Sequence, residues 1–229
     1  MTTSTRTPPR ALAPIDRARI LAEANQWANS RAFLALRMRA MVLLALSGAL
    51  RTKEFLALEL DQVLELEQWA PGARWTVRSS GYLRAHQSKG RRRGERQWDS
   101  SGMFVIAKDA RAALRMYITA ALKRGWMKLE KGQPLFIVNK NSKTRTANGQ
   151  PRRMSRRSAQ HAWKRFQRRA GVQETYGLHC LRHEAITRFA HKSKDPHAVA
   201  AYARFSLSTA MRYVHHNPLT IAEIAESVN

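Results

Sequence analysis

Between Lys140 and Arg169 the chain carries 11 Lys or Arg and no acidic residue. A single-sign stretch of that length repels itself in a compact fold. Its second half nevertheless has a helical period. Behind Ser155, a favourable N-cap, the residues Ala159, Ala162, Trp163, Phe166 and Ala170 form one apolar stripe. Arg156, Arg157, Lys164, Arg165, Arg168 and Arg169 largely face away from it, and Gly171 supplies the stop. A helix so divided must bury the Trp163 stripe and turn its basic side outward. The plainer reading of a charge run is a solvated face, but such faces mix signs and this one does not.

The whole chain shares the bias. It has 229 residues, 41 Lys or Arg against 16 Asp or Glu, and a formal net charge of +25. With 44% hydrophobic residues it can still bury a core, so charge does not force disorder. A surplus of this size points to a polyanion, and nucleic acid is the usual one, because each cation at a phosphate releases condensed counterions. One cysteine, Cys180, excludes an internal disulfide framework and a Cys-rich zinc site. The longest apolar run, Ala40 to Leu46, is far short of the roughly 20 residues of a membrane span. The first ten residues lack the apolar stretch of a signal peptide, so the expectation is a cytoplasmic, nucleoid-associated chain without a membrane partner.

Residues 1–13 read as a flexible arm. From Pro14 the period is helical, with Ile20, Leu21, Ala24 and Trp27 recurring at three- and four-residue spacing. A second helix is expected over 31–47, with Leu34, Met38, Met41, Val42 and Ala45 inward, and a third near Thr52. Arg74 to Arg78 and Tyr82 to Gln87 alternate like strands separated by Ser79-Ser80-Gly81, and a third strand is expected through 96–98. Helices follow over 108–124, 155–171, 179–191, 196–204 and 208–216. Thr220 and Glu223 have capping-box spacing for a last short one. The fold class expected is α+β, mainly α-helical, with one small antiparallel sheet. Residues 14–229 form a single catalytic domain in this reading.

Three segments could carry chemistry. In the first, Arg51 stands at a junction between helices with Glu54 three residues on; alone, this is equally a surface ion pair. In the second, His179, Arg182 and His183 share one face of a helix. A guanidinium can hold a phosphate through two parallel bonds, and an imidazole can donate or move a proton. A packed helix end with exposed polar groups would look the same. The two His spacing also suits zinc, but no third ligand accompanies them and Arg182 would repel a cation. In the third, Tyr213 lies in a short helix; a lone tyrosine is ordinarily core, and becomes a nucleophile only beside cations.

Together these segments resemble the tyrosine recombinase (phage integrase) family over roughly residues 15–229. Leu50-Arg51 with Glu54 resembles its first-arginine box. His179-Cys180-Leu181-Arg182-His183 resembles its His-x-x-Arg box. Ser208-Thr209 followed by Arg212-Tyr213 resembles its nucleophile box, and Lys89-Gly90 its hairpin lysine. The resemblance implies site-specific DNA recombination through a 3′-phosphotyrosyl link on Tyr213. Arg51 and Arg182 would clamp the phosphate, Lys89 would protonate the leaving 5′-hydroxyl, and His179 would assist proton transfer or hydrogen-bond the phosphate. Glu54 and His183 would support them. No metal and no cofactor is implied. Arg91, Arg92, Arg93, Lys140, Lys143, Arg145, Arg152, Arg153, Arg156 and Arg157 are the residues expected along double-stranded DNA. Four protomers on DNA, and a monomer without it, are expected.

The sequence departs from the family in three places. Arg204 stands nine residues before Tyr213, where the family has His or Trp; it can still donate to a phosphate and is kept as a site residue. Ala49 replaces the usual Gly before Leu-Arg, which strains any turn of positive φ there. Only about 30 residues precede the helix leading to Arg51, so no separate core-binding domain is expected. The tail 217–229 would dock on a neighbouring subunit. Two other readings stay open: a DNA-binding module of the same fold with weakened catalysis, and a type IB topoisomerase-like enzyme.

Overall fold

The computed structural model describes residues 12–84, 87, 102–138, 152–173 and 175–215. Lys89, Arg91, Arg92, Arg93, Lys140, Lys143 and Arg145 lie outside the described residues, as do residues 1–11 of the expected arm, the strand expected at 96–98 and the tail; Leu12, at the end of that arm, is buried in the core.

The described chain runs α1 (Pro14–Gln26), α2 (Phe33–Gly48), α3 (Thr52–Ala57), β1 (Leu64–Leu66), β2 (Trp75–Val77), β3 (Ser80–Tyr82), β4 (Met103–Val105), α4 (Lys108–Lys123), α5 (Arg156–Arg169), α6 (His179–Ser193), α7 (Pro196–Ala203) and α8 (Leu207–His215). Single 3₁₀ turns follow α1 and α3. Helix α2 is the central element. From Leu36 to Ala45 every residue is buried, as expected of a helix packed on all sides, here chiefly by α4 and α6. Leu34, expected inward, is 42% exposed. Conversely Arg37 is buried, because its Nη1 donates to the Ile137 carbonyl at 2.6 Å and its guanidinium lies 5.7 Å from the Phe33 ring centroid.

Strands β1 and β2 pair antiparallel with Leu66 opposite Trp75, and β3 and β4 pair with Tyr82 opposite Met103. Among the described residues these are two separate ladders rather than one sheet. Ser80-Gly81, read as a separator, lies inside β3. A Cβ at Gly81 would come within 2.4 Å of the Phe104 ring, so only glycine lets Phe104 cross the ladder there.

Among the described residues two apolar clusters form. The larger joins α1, α2, α4 and α5 around Tyr117, Phe136, Trp163 and Phe166. The smaller joins Ala49, Ala185, Ile186, Ala190, Val199, Ala203 and Ala210. Leu181 of α6 belongs to the first and Ala185 to the second, so Arg182 sits at the seam. Leu50 and Ala49 straddle the same seam one residue before Arg51.

Candidate active site

Helix α2 stops because Ala49 adopts the left-handed conformation, φ 45°. That turn sends the chain back into α3, with Arg51 extended at its N-cap position (φ −68°, ψ 149°). The Glu54 carboxylate accepts the Arg51 backbone N–H at 2.8 Å, satisfying a donor at the helix start. Its other oxygen accepts from the Arg51 guanidinium at 2.5 Å.

Glu54 is buried, and three guanidiniums surround it. Beyond Arg51, Arg204 Nη2 lies 3.5 Å and Arg182 Nη1 3.9 Å from one carboxylate oxygen. Burial alone would raise the Glu54 carboxyl; the hydrogen bond from the Arg51 N–H and the Arg51 charge outweigh it and hold the group below its ordinary value. The cluster therefore holds three cations against one anion. The surface ion pair that Arg51 and Glu54 could have formed is instead the buried centre of a positively charged cluster.

Arg182 comes from α6. Its Nη1 donates to the Ala49 carbonyl and its Nη2 to the Ala203 carbonyl at 2.6 Å. Burial, then the Arg51 charge, lower its guanidinium to about 10, so it remains cationic at neutral pH. Arg204 is held more completely. Its two terminal nitrogens reach the carbonyls of Gly48, Ala49, Tyr202 and Met103 at 2.9–3.4 Å, and its Nε is buried without a partner among the described residues. Arg51 is the most open of the three, with its side chain 27% exposed.

On the next turn of the site, the Tyr213 hydroxyl lies 2.7 Å from His183 Nδ1, and the two rings are stacked 19° from parallel. Phe205 also stacks on Tyr213, its ring centroid 5.5 Å away. His179 meets His183 edge to face at 4.8 Å. Burial, then the His179 and Arg182 charges, push His183 down to about 4, so its imidazole is neutral near pH 7. His179 is lowered by burial, then by Arg182 and Arg51. Burial raises Tyr213 and the Arg182 charge opposes it. A neutral imidazole hydrogen-bonded to a phenol, within reach of a guanidinium, can take a proton from that phenol.

The expected site residues thus separate. Arg51, Glu54, His179, Arg182, His183, Arg204 and Tyr213 converge from α2–α3, α6 and the α7–α8 region. Of these, His183 was expected only as support, yet it is the residue that touches Tyr213; its i, i+4 relation to His179 was the signal for it. Phe205 was missed, and nothing in the sequence marks it. Arg153 points inward. Its Nη1 donates to the carbonyls of Leu56 and Leu58 at 3.1 and 2.9 Å, and its Nη2 pairs with Glu59 at 2.8 Å. Arg156 and Arg157 stay outside, lining a groove with Gln160, His161 and Lys164, and Arg156 adds to the positive field at His179. Arg152 lies exposed just before them. Among the described residues no three His, Cys, Asp or Glu gather as a metal site, and no helix is long and apolar enough to cross a membrane.

The fold has close precedents among solved structures. XerA recombinase superposes with a TM-score of 0.64 at 17% identity, over 100% of this chain and 66% of its own. XerH site-specific recombinase, in a post-cleavage complex with a palindromic difH substrate, gives 0.64 at 19% identity, over 96% and 53%. The Tn1549 transposon integrase in complex with transposon right end DNA gives 0.57 at 14% identity, over 99% and 68%. At these identities the likeness is one of fold, and the chain spans between half and two thirds of the two recombinases. No curated protein sequence matches the chain. The sequence profile of the phage integrase family matches residues 12–219, nearly all of the chain. A tyrosine, two histidines and three arginines gathered at one seam of a fold shared with tyrosine recombinases agree with that match, and the chain belongs to the phage integrase family.

Proposed function

We propose that the protein cleaves and rejoins double-stranded DNA at specific sites through a covalent 3′-phosphotyrosyl intermediate on Tyr213. The observation that carries this is the Tyr213 hydroxyl, hydrogen-bonded to a neutral His183 and within the field of Arg182.

In the forward step the Tyr213 oxygen bonds to phosphorus and its proton passes to His183 Nδ1. The bond from phosphorus to the 5′ oxygen breaks, and that oxygen leaves as a hydroxyl after taking a proton. The sequence resemblance assigns this proton to Lys89. Negative charge grows on the non-bridging oxygens, where Arg51 and Arg182 act as fixed donors that need no reorganisation. His179 donates to the same phosphate. The reaction reverses when a new 5′-hydroxyl attacks, so the phosphotyrosine conserves the bond for rejoining. Relatives captured with DNA support the duplex as partner. The basic face of α5 supports it too, since Arg156, Arg157 and Lys164 on that face can meet successive phosphates. Four protomers on two sites remain the assembly this reading implies, with the unbound chain monomeric.

A second reading, a DNA-binding module with weakened catalysis, is favoured by one observation. Arg204 replaces the His or Trp of the family and is engaged by protein acceptors. The experiment separates them. DNA crosslinked to the protein is recovered from cells and sequenced, and the recovered sites are rebuilt as nicked substrates. The proposal expects a covalent adduct on those substrates that Tyr213→Phe abolishes while duplex binding persists. Tight binding to the recovered sites with no adduct would establish the second reading.

A further inference from the structure

A guanidinium has five N–H groups, four of them on its two terminal nitrogens. In Arg204 those two nitrogens face five acceptors: the carbonyls of Gly48, Ala49, Met103 and Tyr202 and the Glu54 carboxylate. The fifth N–H, on Nε, is buried with no partner. The four terminal N–H groups are thus taken up by protein acceptors, and the Nε–H, the one left over, is enclosed. Arg182 differs: its terminal nitrogens engage two carbonyls, with Glu54 at 3.9 Å, which leaves a terminal N–H over, and Arg51 is open to the outside.

What Arg204 holds is equally specific. Gly48 and Ala49 end α2, and their carbonyls are among the four that a helix C-terminus leaves without intrahelical partners. Ala49 is bent at φ 45°, and Arg204 itself is at φ 55°, so two left-handed caps face one another. The Arg51 guanidinium closes the contact by approaching the Arg204 carbonyl at 3.5 Å. A cation at a helix C-terminus is favourable, and one that binds its open carbonyls also fixes the exit path of the chain. That path leads in two residues to Arg51.

We propose that Arg204 is a positioning residue: it clamps the α2 C-terminus and thereby aims Arg51, and it does not bind the phosphate. In the family the residue at this place is expected to donate to the phosphate; here the same place braces the residue that does. The inference rests on the proposed cleavage reading only for its kinetic half.

The two roles predict opposite signs in the DNA-free protein. A substrate cation kept beside Arg51 and Arg182 costs stability through like-charge repulsion, and its removal stabilises the fold. A brace destabilises when removed, because it strands buried carbonyls and Glu54. Arg204→Ala and Arg204→Lys are therefore melted without DNA, followed by hydrogen exchange, and assayed for cleavage and duplex affinity. Lysine keeps the charge but cannot span the carbonyls. We expect both variants to melt about 5–10 °C lower, with faster exchange confined to residues 49–56. Cleavage falls on the order of 10–100-fold with duplex affinity unchanged, as for a misplaced catalytic group.

Melting at or above the wild-type temperature with cleavage lost would make Arg204 a phosphate ligand and overturn the proposal. So would lowered melting with cleavage intact, or exchange raised across the whole chain. If Arg204→Ala does not fold, Arg204→Lys carries the test. A wild-type protein that never cleaves would instead count against the cleavage reading, leaving the melting and exchange results to judge the brace.

Discussion

Ala49 lies at φ 45° with no exposed surface, in the cluster that includes Ala185 and Ala203. A β-branched side chain is a poor occupant of that backbone region and has no room there. Ala49→Val is expected to lower unfolding free energy by about 2 kcal/mol or more, measured by urea denaturation, from backbone strain and overpacking together. His183 makes a different prediction. Its folded value is about 4 against an ordinary 6.5, so between those values the unfolded chain binds the proton and the folded chain does not. The stability present above pH 6.5 is thus lost as pH falls toward 4. His183→Gln should flatten that part of the stability curve. His179, also lowered, should leave a residual slope. A variant with the wild-type slope would contradict the buried, neutral imidazole. At this scale the sequence disclosed which residues meet, through spacings such as His179 to His183. It did not disclose what they meet. The partners of Arg182 and Arg204 are backbone carbonyls 133 and 155 residues away in the chain, and a carbonyl leaves no mark in a sequence.

Helix periodicity was legible nearly to the residue. The expected helices over 108–124, 196–204 and 208–216 are observed over 108–123, 196–203 and 207–215. Ser155 caps α5 as expected, its Oγ accepting the Ser158 N–H at 3.1 Å. Ser155→Ala should cost about 1 kcal/mol in chemical denaturation. The strands were less legible, because three-residue ladders carry almost no alternation. Strand β4, Met103–Val105, is fixed by pairing with β3 rather than by its own pattern. Helix α5 also explains why a run of cations divides in function. Trp163 and Phe166 are fully buried beneath it, Arg169 pairs with Glu23 at 2.6 Å, and Arg156 and Arg157 are left at its outer N-terminal end. Replacing Arg156 and Arg157 together by alanine should reduce the slope of log affinity against log salt by about 2. An unchanged slope would place the duplex elsewhere.

The molecule as a whole is organised around a seam between two apolar clusters, with α6 crossing both. Charge collects there because helix ends meet there: arginines that cap open carbonyls also surround the point where a phosphate would sit. The net charge of +25 thus has more than one use. Arg37 and Arg153 tie the chain together, α5 offers an outer face, Arg51 and Arg182 gather about Glu54, and the Arg182 charge reaches Tyr213. Net charge alone could not divide those roles, since burial and partner decide them. In the proposed reaction Tyr213 becomes covalently attached to DNA. The most direct measurement is mass spectrometry of protease- and nuclease-digested protein trapped on a nicked site. One modified peptide is expected, containing Tyr213 and carrying a 3′-linked nucleotide. A nucleotide attached to any other residue, or active protein with no attached nucleotide, would contradict it.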